Sequence, residues 1–207
     1  MSYPVPATLY RIAAVAGCGS AVVLIINAAK RAEIIPTSAL TQLVAPLAQI
    51  LALALITALY LGFGRRSGIF GLCAYLLNAF ALSALVGVEF VVNLVFRELP
   101  ADTIAGLRGG SLGIALTAVS IMFLIGTVTF CAAMIRTEIP TIPLALYAIG
   151  AVPVALRAFV PEGVLDLGLA VMAVGAAWLA TWLFNRSSRI TTWTPTSTSA
   201  PRHPVKV

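Results

Sequence analysis

The chain has 207 residues, of which 60% are hydrophobic and 10% are charged, whereas soluble domains carry about a quarter charged residues. This composition, with a mean hydropathy of +1.03, excludes a soluble globular protein and indicates an integral membrane protein. The net charge of +6 does not indicate nucleic-acid binding, because a basic membrane rim meets anionic lipid headgroups.

Apolar stretches long enough to cross a bilayer, which takes about 20 helical residues, follow one another along the chain. The first lacks a small-x-small cleavage site and stays apolar past the usual length of a signal peptide, so we expect it to be a retained helix. The sequence predicts an all-α polytopic bundle of six transmembrane helices within a domain at 1–190, with spans at 9–29, 40–63, 69–96, 112–135, 144–160 and 164–184. Residues 191–207 are rich in Thr, Ser and Pro and are predicted to form a disordered basic tail.

The orientation in the membrane follows from the positions of Lys and Arg, which favour the cytoplasmic side of short loops. With both termini in the cytoplasm, eight of these residues lie inside and five outside. The outer ones are Lys30, Arg31, Arg97, Arg108 and Arg157, and the adjacent Lys30 and Arg31 argue against this topology. We expect a multi-pass protein of the plasma membrane.

The residues needed for metal or haem chemistry are scarce. The cysteines at 18, 73 and 131 all fall within predicted spans and form no spaced motif, and the lone histidine, His203, lies in the tail. No paired Asp-rich motif is present that would hold a magnesium-bound diphosphate. We therefore expect no metal and no cofactor.

Polar side chains form a stripe along the third predicted span. At 100° per residue its members share one face, and they climb about 22 Å from Asn78 to the last of them. The second span carries a similar stripe. The stripes contain Asn78, Glu89, Asn93 and Tyr75 on the third span, and Gln42, Gln49, Thr57 and Tyr60 on the second. Because the strongest polar groups fall in the outer half, we expect a cavity that opens toward the extracytoplasmic side.

Glu89 stands out, since a charged residue near the middle of a span costs about 2.5–3.5 kcal/mol to insert. If Arg157 pairs with it, Glu89 stays ionised and is mainly structural. If it is unpaired, it is a protonated acid in an apolar pocket, which suits acid catalysis. Asp166 competes for Arg157, and that pairing would release Glu89.

Two segments carry a resemblance to known proteins. YRIAAVAG at 10–17 and RTEIPTIPLALYAIGAVPVAL at 136–156 resemble a large bacterial group of six-helix membrane proteins of unknown function. That resemblance supplies no catalytic residue. The chain is also similar, in size and in having intramembrane acids, to small integral-membrane terpene cyclases, whose acids are thought to protonate an isoprenoid. Glu89 and Asp166 are the residues that could match this role.

Three functions remain open from the sequence. The first is acid-initiated isoprenoid cyclisation with Glu89 as proton donor and Asp166 restoring the proton. In that case Asn78, Asn93 and Gln49 would orient the acid or substrate, beside Arg157, and Tyr60 and Tyr75 would steady a cation. The second is a non-catalytic binder, exporter or resistance factor for a hydrophobic small molecule. The third is an accessory membrane subunit. The expected partners are the lipid bilayer and a hydrophobic small molecule, not nucleic acid.

Overall fold

The computed structural model describes residues 6–190, and all regular structure within them is helical. The α-helices are α1 (Ala7–Arg31), α2 (Ala39–Val44), α3 (Leu47–Gly62), α4 (Gly68–Phe90), α5 (Ala101–Gly109), α6 (Ser111–Met134), α7 (Thr141–Ala155) and α8 (Glu162–Ile190). A 3-10 turn at Gly64–Ser67 precedes α4, and α4 continues through a π-helical turn at Val91–Val95 into a second 3-10 turn at Phe96–Glu98. The predicted tail at 191–207 lies outside the described residues.

Within residues 6–190, five helical stretches are long and apolar enough to cross a membrane: Ala7–Arg31, Ala39–Gly62, Gly64–Glu98, Ser111–Met134 and Glu162–Ser188. Each corresponds to a predicted span. The predicted span at 144–160 corresponds to α7, which is shorter because it ends at Ala155. Its 15 residues reach about 22 Å, less than the hydrocarbon core of about 30 Å.

Proline explains two departures from the predicted helix bounds. The second predicted span is interrupted between α2 and α3 at the buried Pro46, which has no N–H for the helical ladder. In α7, Pro153 removes another such donor, and the helix ends two residues later. The Val160–Pro161 pair then keeps the chain out of helical geometry until α8 begins.

Small residues let the helices pack closely, most clearly at Gly17 and Gly175. α1 packs against α3 and α8, and a Cβ atom at Gly17 would lie 2.8 Å from Leu55 Cδ2 and 2.9 Å from Ala180 Cβ. α7 packs against α8, and a Cβ atom at Gly175 would lie 2.6 Å from the backbone N of Tyr147. These contacts hold the short α7 against the longest helix of the described bundle.

Ion pairs mark the two ends of the bundle. At one end, which we call the Glu138 end, Glu138 in the α6–α7 loop accepts hydrogen bonds from Arg66 and Arg186. At the opposite end, which we call the Lys30 end, α1, α4 and α7 finish and α8 begins. At the Lys30 end Lys30 is buried and several other charged side chains are half-buried, and these residues define the candidate site.

Candidate functional site

A chain of hydrogen bonds joins four segments at the Lys30 end. Lys30 Nζ, in the last turn of α1, donates to Gln42 Oε1 at 3.1 Å and to Asn93 Oδ1 at 2.9 Å. Asn93 Nδ2 donates to Glu89 Oε2 at 2.9 Å, and Arg157 Nη1 donates to Glu89 Oε1 at 3.0 Å. We call these five residues the polar network. It ties α1, α2, α4 and the turn after α7 together.

The polar network holds two cations and one anion in a largely buried place. Lys30 is 9% exposed, and the side chains of Glu89 and Arg157 are 15% and 24% exposed. Charges removed from water are costly unless they are paired and hydrogen-bonded. Both carboxylate oxygens of Glu89 accept hydrogen bonds, one from Asn93 and one from Arg157. Of the two alternatives for Glu89, the structure therefore shows the one in which it is paired with Arg157.

Asn93, a member of the polar network, lies in the π-helical turn. In this turn the N–H of Phe96 donates to the carbonyl of Val91, five residues back. Asn93 Nδ2 also donates to the main-chain carbonyl of Glu89 at 2.9 Å, so its amide satisfies both the side chain and the backbone of one residue. Single π-helical turns inside α-helices occur frequently at functional sites.

A second set of ion pairs lies beside the polar network. Arg31 Nε lies 3.3 Å from Asp166 Oδ1, and Arg31 Nη2 lies 3.6 Å from Glu162 Oε1. The side chain of Asp166 is 16% exposed, whereas that of Glu162 is 80% exposed. Asp166 therefore pairs with Arg31 and does not compete with Glu89 for Arg157. Each of these two half-buried carboxylates, Glu89 and Asp166, has its own arginine.

A cavity of about 340 Å³ opens beside these pairs, between the ends of α4 and α7, the start of α8, and α5 and α6. Its polar lining consists of three arginines, one carboxylate and two hydroxyls: Arg31, Arg108, Arg157, Glu162, Thr117 and Ser120. Its apolar lining includes Val92, Phe96, Leu116, Phe159 and Leu165. Arg157 belongs to both the cavity lining and the polar network, so it connects the two.

Of the predicted site residues, the structure brings Glu89, Asn93 and Arg157 together, with Asp166 in the neighbouring ion pair. Asn78 is fully buried and faces α6 instead, where its Oδ1 accepts a hydrogen bond from Thr127 at 3.2 Å.

The other predicted residues lie elsewhere. The rings of Tyr60 and Tyr75 stack 4.4 Å apart, and the hydroxyls of Tyr75 and Thr57 share a hydrogen bond. Gln49 is buried on α3, and its Oε1 has no hydrogen-bond partner among residues 6–190. The polar stripe of α4 is thus divided among several neighbouring helices. It does not line one cavity.

Three residues of the site, Lys30, Arg31 and Arg108, were not predicted from the sequence. Lys30 and Arg31 were expected to be loop cations, whereas both lie in the last turn of α1 and have polar or acidic partners. A signal was present, because Lys30 follows the buried Asn27 by three residues on the same helix face. Arg108 carries no comparable signal, since it lies on the short helix α5 in a predicted loop.

The site offers fixed positive charge next to an apolar wall. Among the described residues, no group of three or more His, Cys, Asp or Glu side chains could hold a metal ion. No protein-family model, curated protein or solved structure matches this chain. Its function has to be inferred from its own residues.

Proposed function

We propose that the chain is a plasma-membrane protein of six spans, with both termini in the cytoplasm, that binds a lipid-like small molecule in the cavity at the Lys30 end. We further propose that it belongs with the bacterial six-helix membrane proteins it resembles. In this topology α7 is the fifth of the six spans, and the cavity opens to the exterior.

The distribution of cations supports the topology. The cations of the Glu138 end include Arg65 and Arg66 before α4 and Arg136 after α6. At the Lys30 end, Lys30 and Arg31 have partners inside the bundle. At the Glu138 end, Arg66 and Arg186 are paired as well, so the ion pairs do not distinguish the two ends. The proposed topology therefore rests on the larger number of cations on the side of the Glu138 end.

The observation that carries the binding proposal is the amphipathic lining of the cavity. Its arginines lie at or just beyond the ends of α1, α5 and α7, where headgroups would lie in the proposed topology. Its wall on α6 extends from Gly113 to Ser120, about 10 Å along the helix. Its volume of about 340 Å³ falls at the lower end of the range for small-molecule pockets. An amphiphile would place its head among the arginines and its tail against the wall.

The geometry favours binding over acid-initiated cyclisation. Glu89 shares its oxygens between Arg157 and Asn93, and it is not among the residues that line the cavity. Tyr75 lies 14 residues from Glu89 along α4 in the sequence, about 21 Å along the helix, and stacks on Tyr60. An acid and the aromatic groups that would steady a cation are therefore far apart.

Mass spectrometry of the small molecules that copurify with the full-length protein tests the proposal. Thr117→Trp places a large ring at an exposed position that lines the cavity, and we expect it to abolish retention of the ligand. Val128→Trp is the matched control, since Val128 is exposed on the same helix outside the cavity lining.

The same measurement on whole cells, with and without the protein, separates binding from catalysis. We expect an unmodified compound to be retained. A new cyclised isoprenoid that disappears in Glu89→Gln would restore the cyclase hypothesis, and equal retention by Thr117→Trp and the native protein would refute binding in this cavity.

A further inference from the structure

We propose that the cavity selects amphiphiles with a single anionic headgroup, a phosphate or a carboxylate, and that Arg108 makes the selection. This inference rests on the proposed function, because it names the class of ligand for the same cavity. It follows from the charges around the cavity, the position of α5 and the apolar wall below it.

The charges around the cavity leave one arginine without a counterion. Arg157 is paired with Glu89, and Arg31 is paired with Asp166 and Glu162. Arg108 has no carboxylate within ion-pair distance among residues 6–190. A guanidinium at the edge of an apolar cavity binds phosphate or carboxylate strongly, through paired hydrogen bonds. A ligand with an anionic head would supply the missing charge.

Arg108 is held in place from two sides. Its Cζ lies 5.3 Å from the centroid of the Phe96 ring, a contact that orients the guanidinium and leaves its edge free to donate. A Cβ atom at Gly113 would lie 1.8 Å from the carbonyl oxygen of Arg108, so the end of α5 rests directly on α6. Only glycine at 113 permits this approach, and the approach keeps Arg108 at the cavity.

The rest of the lining suits a hydrocarbon tail better than a second polar group. Below the arginines, Val92, Leu116 and Leu165 present aliphatic side chains, and Phe159 flanks them. The hydroxyl of Ser120 is already used, since it donates to the carbonyl of Leu116 at 2.9 Å. Three arginines and one carboxylate, Glu162, line the cavity, so a cationic head would meet a net positive charge. A neutral head would gain no charge-assisted hydrogen bond from Arg108.

Competition for a fluorescent fatty acid, bound to the purified full-length protein in non-ionic detergent, tests this inference. The competitors are an alkyl phosphate, an alkyl alcohol and an alkyl trimethylammonium of one chain length, together with inorganic phosphate. We expect the alkyl phosphate to compete at least about tenfold better than the alcohol or the cation, since one hydrogen bond to a charged group accounts for such a factor. Its advantage should shrink as ionic strength rises.

The decisive variant is Arg108→Gln, which removes the charge from an exposed residue and should leave the fold intact. We expect the preference for the alkyl phosphate over the alcohol to disappear in it. Arg97→Gln is the matched control, because Arg97 lies at the same end, pairs with Glu98 and does not line the cavity.

Each other outcome has a distinct meaning. Equal competition by all three amphiphiles, or an unchanged preference in Arg108→Gln, would overturn the charge selection while amphiphile binding stands. Displacement of the probe by inorganic phosphate at the same concentration as the alkyl phosphate would show a site for a free anion and overturn the amphiphile. If neither the probe nor any amphiphile binds, the proposed function itself fails.

Discussion

Lys30 Nζ lies 2.9 Å from Asn93 Oδ1, and this hydrogen bond fastens the last turn of α1 to the π-helical turn of α4. The same ammonium donates to Gln42 on α2. One cation therefore holds three helical segments together at the end of the bundle where the cavity lies. The energetic role of this junction can be measured separately from ligand binding.

Lys30→Met should destabilise the protein. It removes the donor to two buried oxygens, Asn93 Oδ1 and Gln42 Oε1, and each buried acceptor left without a donor costs about 1–3 kcal/mol. Thermal unfolding of the purified protein in detergent measures the effect. Arg97→Met is the control, because it removes a cation whose only ion pair is with its exposed neighbour Glu98 within the described residues. Equal losses in the two variants would contradict the role of Lys30.

The pair of Glu89 and Arg157 should show strong energetic coupling. Either single change, Glu89→Gln or Arg157→Gln, leaves a largely buried charge without its partner and should cost about 1–3 kcal/mol. The double variant should lose less than the sum of the two, because it removes both charges. A double-mutant cycle of unfolding free energies measures the difference. Additive losses would mean that the pair does not interact.

Glu138 should make stability depend on pH at the opposite end. The hydrogen bond from Arg66 lowers the pKa of the Glu138 carboxyl below its ordinary value of 4.5, and Arg66 and Arg186 add to this through their charges. A lowered pKa in the folded state means that the contribution is complete above pH 4.5 and is lost as the pH falls through the lowered pKa. The ion pair should therefore stabilise the protein at neutral pH and not in strong acid.

The change that tests this pH dependence is Glu138→Gln. It should lower the unfolding temperature at neutral pH and flatten its fall between about pH 4.5 and lower values. Glu162→Gln is the control, since the side chain of Glu162 is 80% exposed and lies at the Lys30 end. A pH profile that is unchanged by Glu138→Gln would refute this account.

The positions of the helices could be predicted because bilayer thickness sets the length of an apolar span. The partners of the polar residues could not, because hydropathy does not say which helix faces which. Glu89 and Asn93 were predicted to share a face, and they do form a hydrogen bond. Asn78 was placed on that face as well, yet it meets Thr127 of α6.

The π-helical turn and the short α5 were beyond sequence reasoning for a related reason. A constant rotation of 100° per residue assumes an unbroken α-helix, whereas Val91–Val95 follows a wider spacing of hydrogen bonds. Arg108 reaches the cavity only because Gly113 allows α5 to rest on α6. Both depend on tertiary contacts that leave little trace in local composition.

Gly150→Ala should push α7 away from α8 and lower the stability of the protein. A Cβ atom at Gly150 would lie 2.5 Å from the backbone N of Met172 and 2.7 Å from the carbonyl oxygen of Gly168, and backbone atoms cannot move aside as a flexible side chain would. Overpacking of this kind costs about 1–3 kcal/mol. α7 is shorter than the bilayer core, so we expect its position in the bundle to depend strongly on this contact. The positions of the longer helices should depend less on any single contact.

Gly87→Ala is the matched control for that change. A Cβ atom at Gly87 in α4 would meet no atom within 4 Å, so the same substitution adds no clash there. It should be neutral or stabilise the protein by up to about 1 kcal/mol, since alanine restricts the unfolded chain more than glycine does. Unfolding of the two variants in the same detergent compares them directly. If Gly150→Ala is as stable as Gly87→Ala, then α7 and α8 do not approach as closely as described.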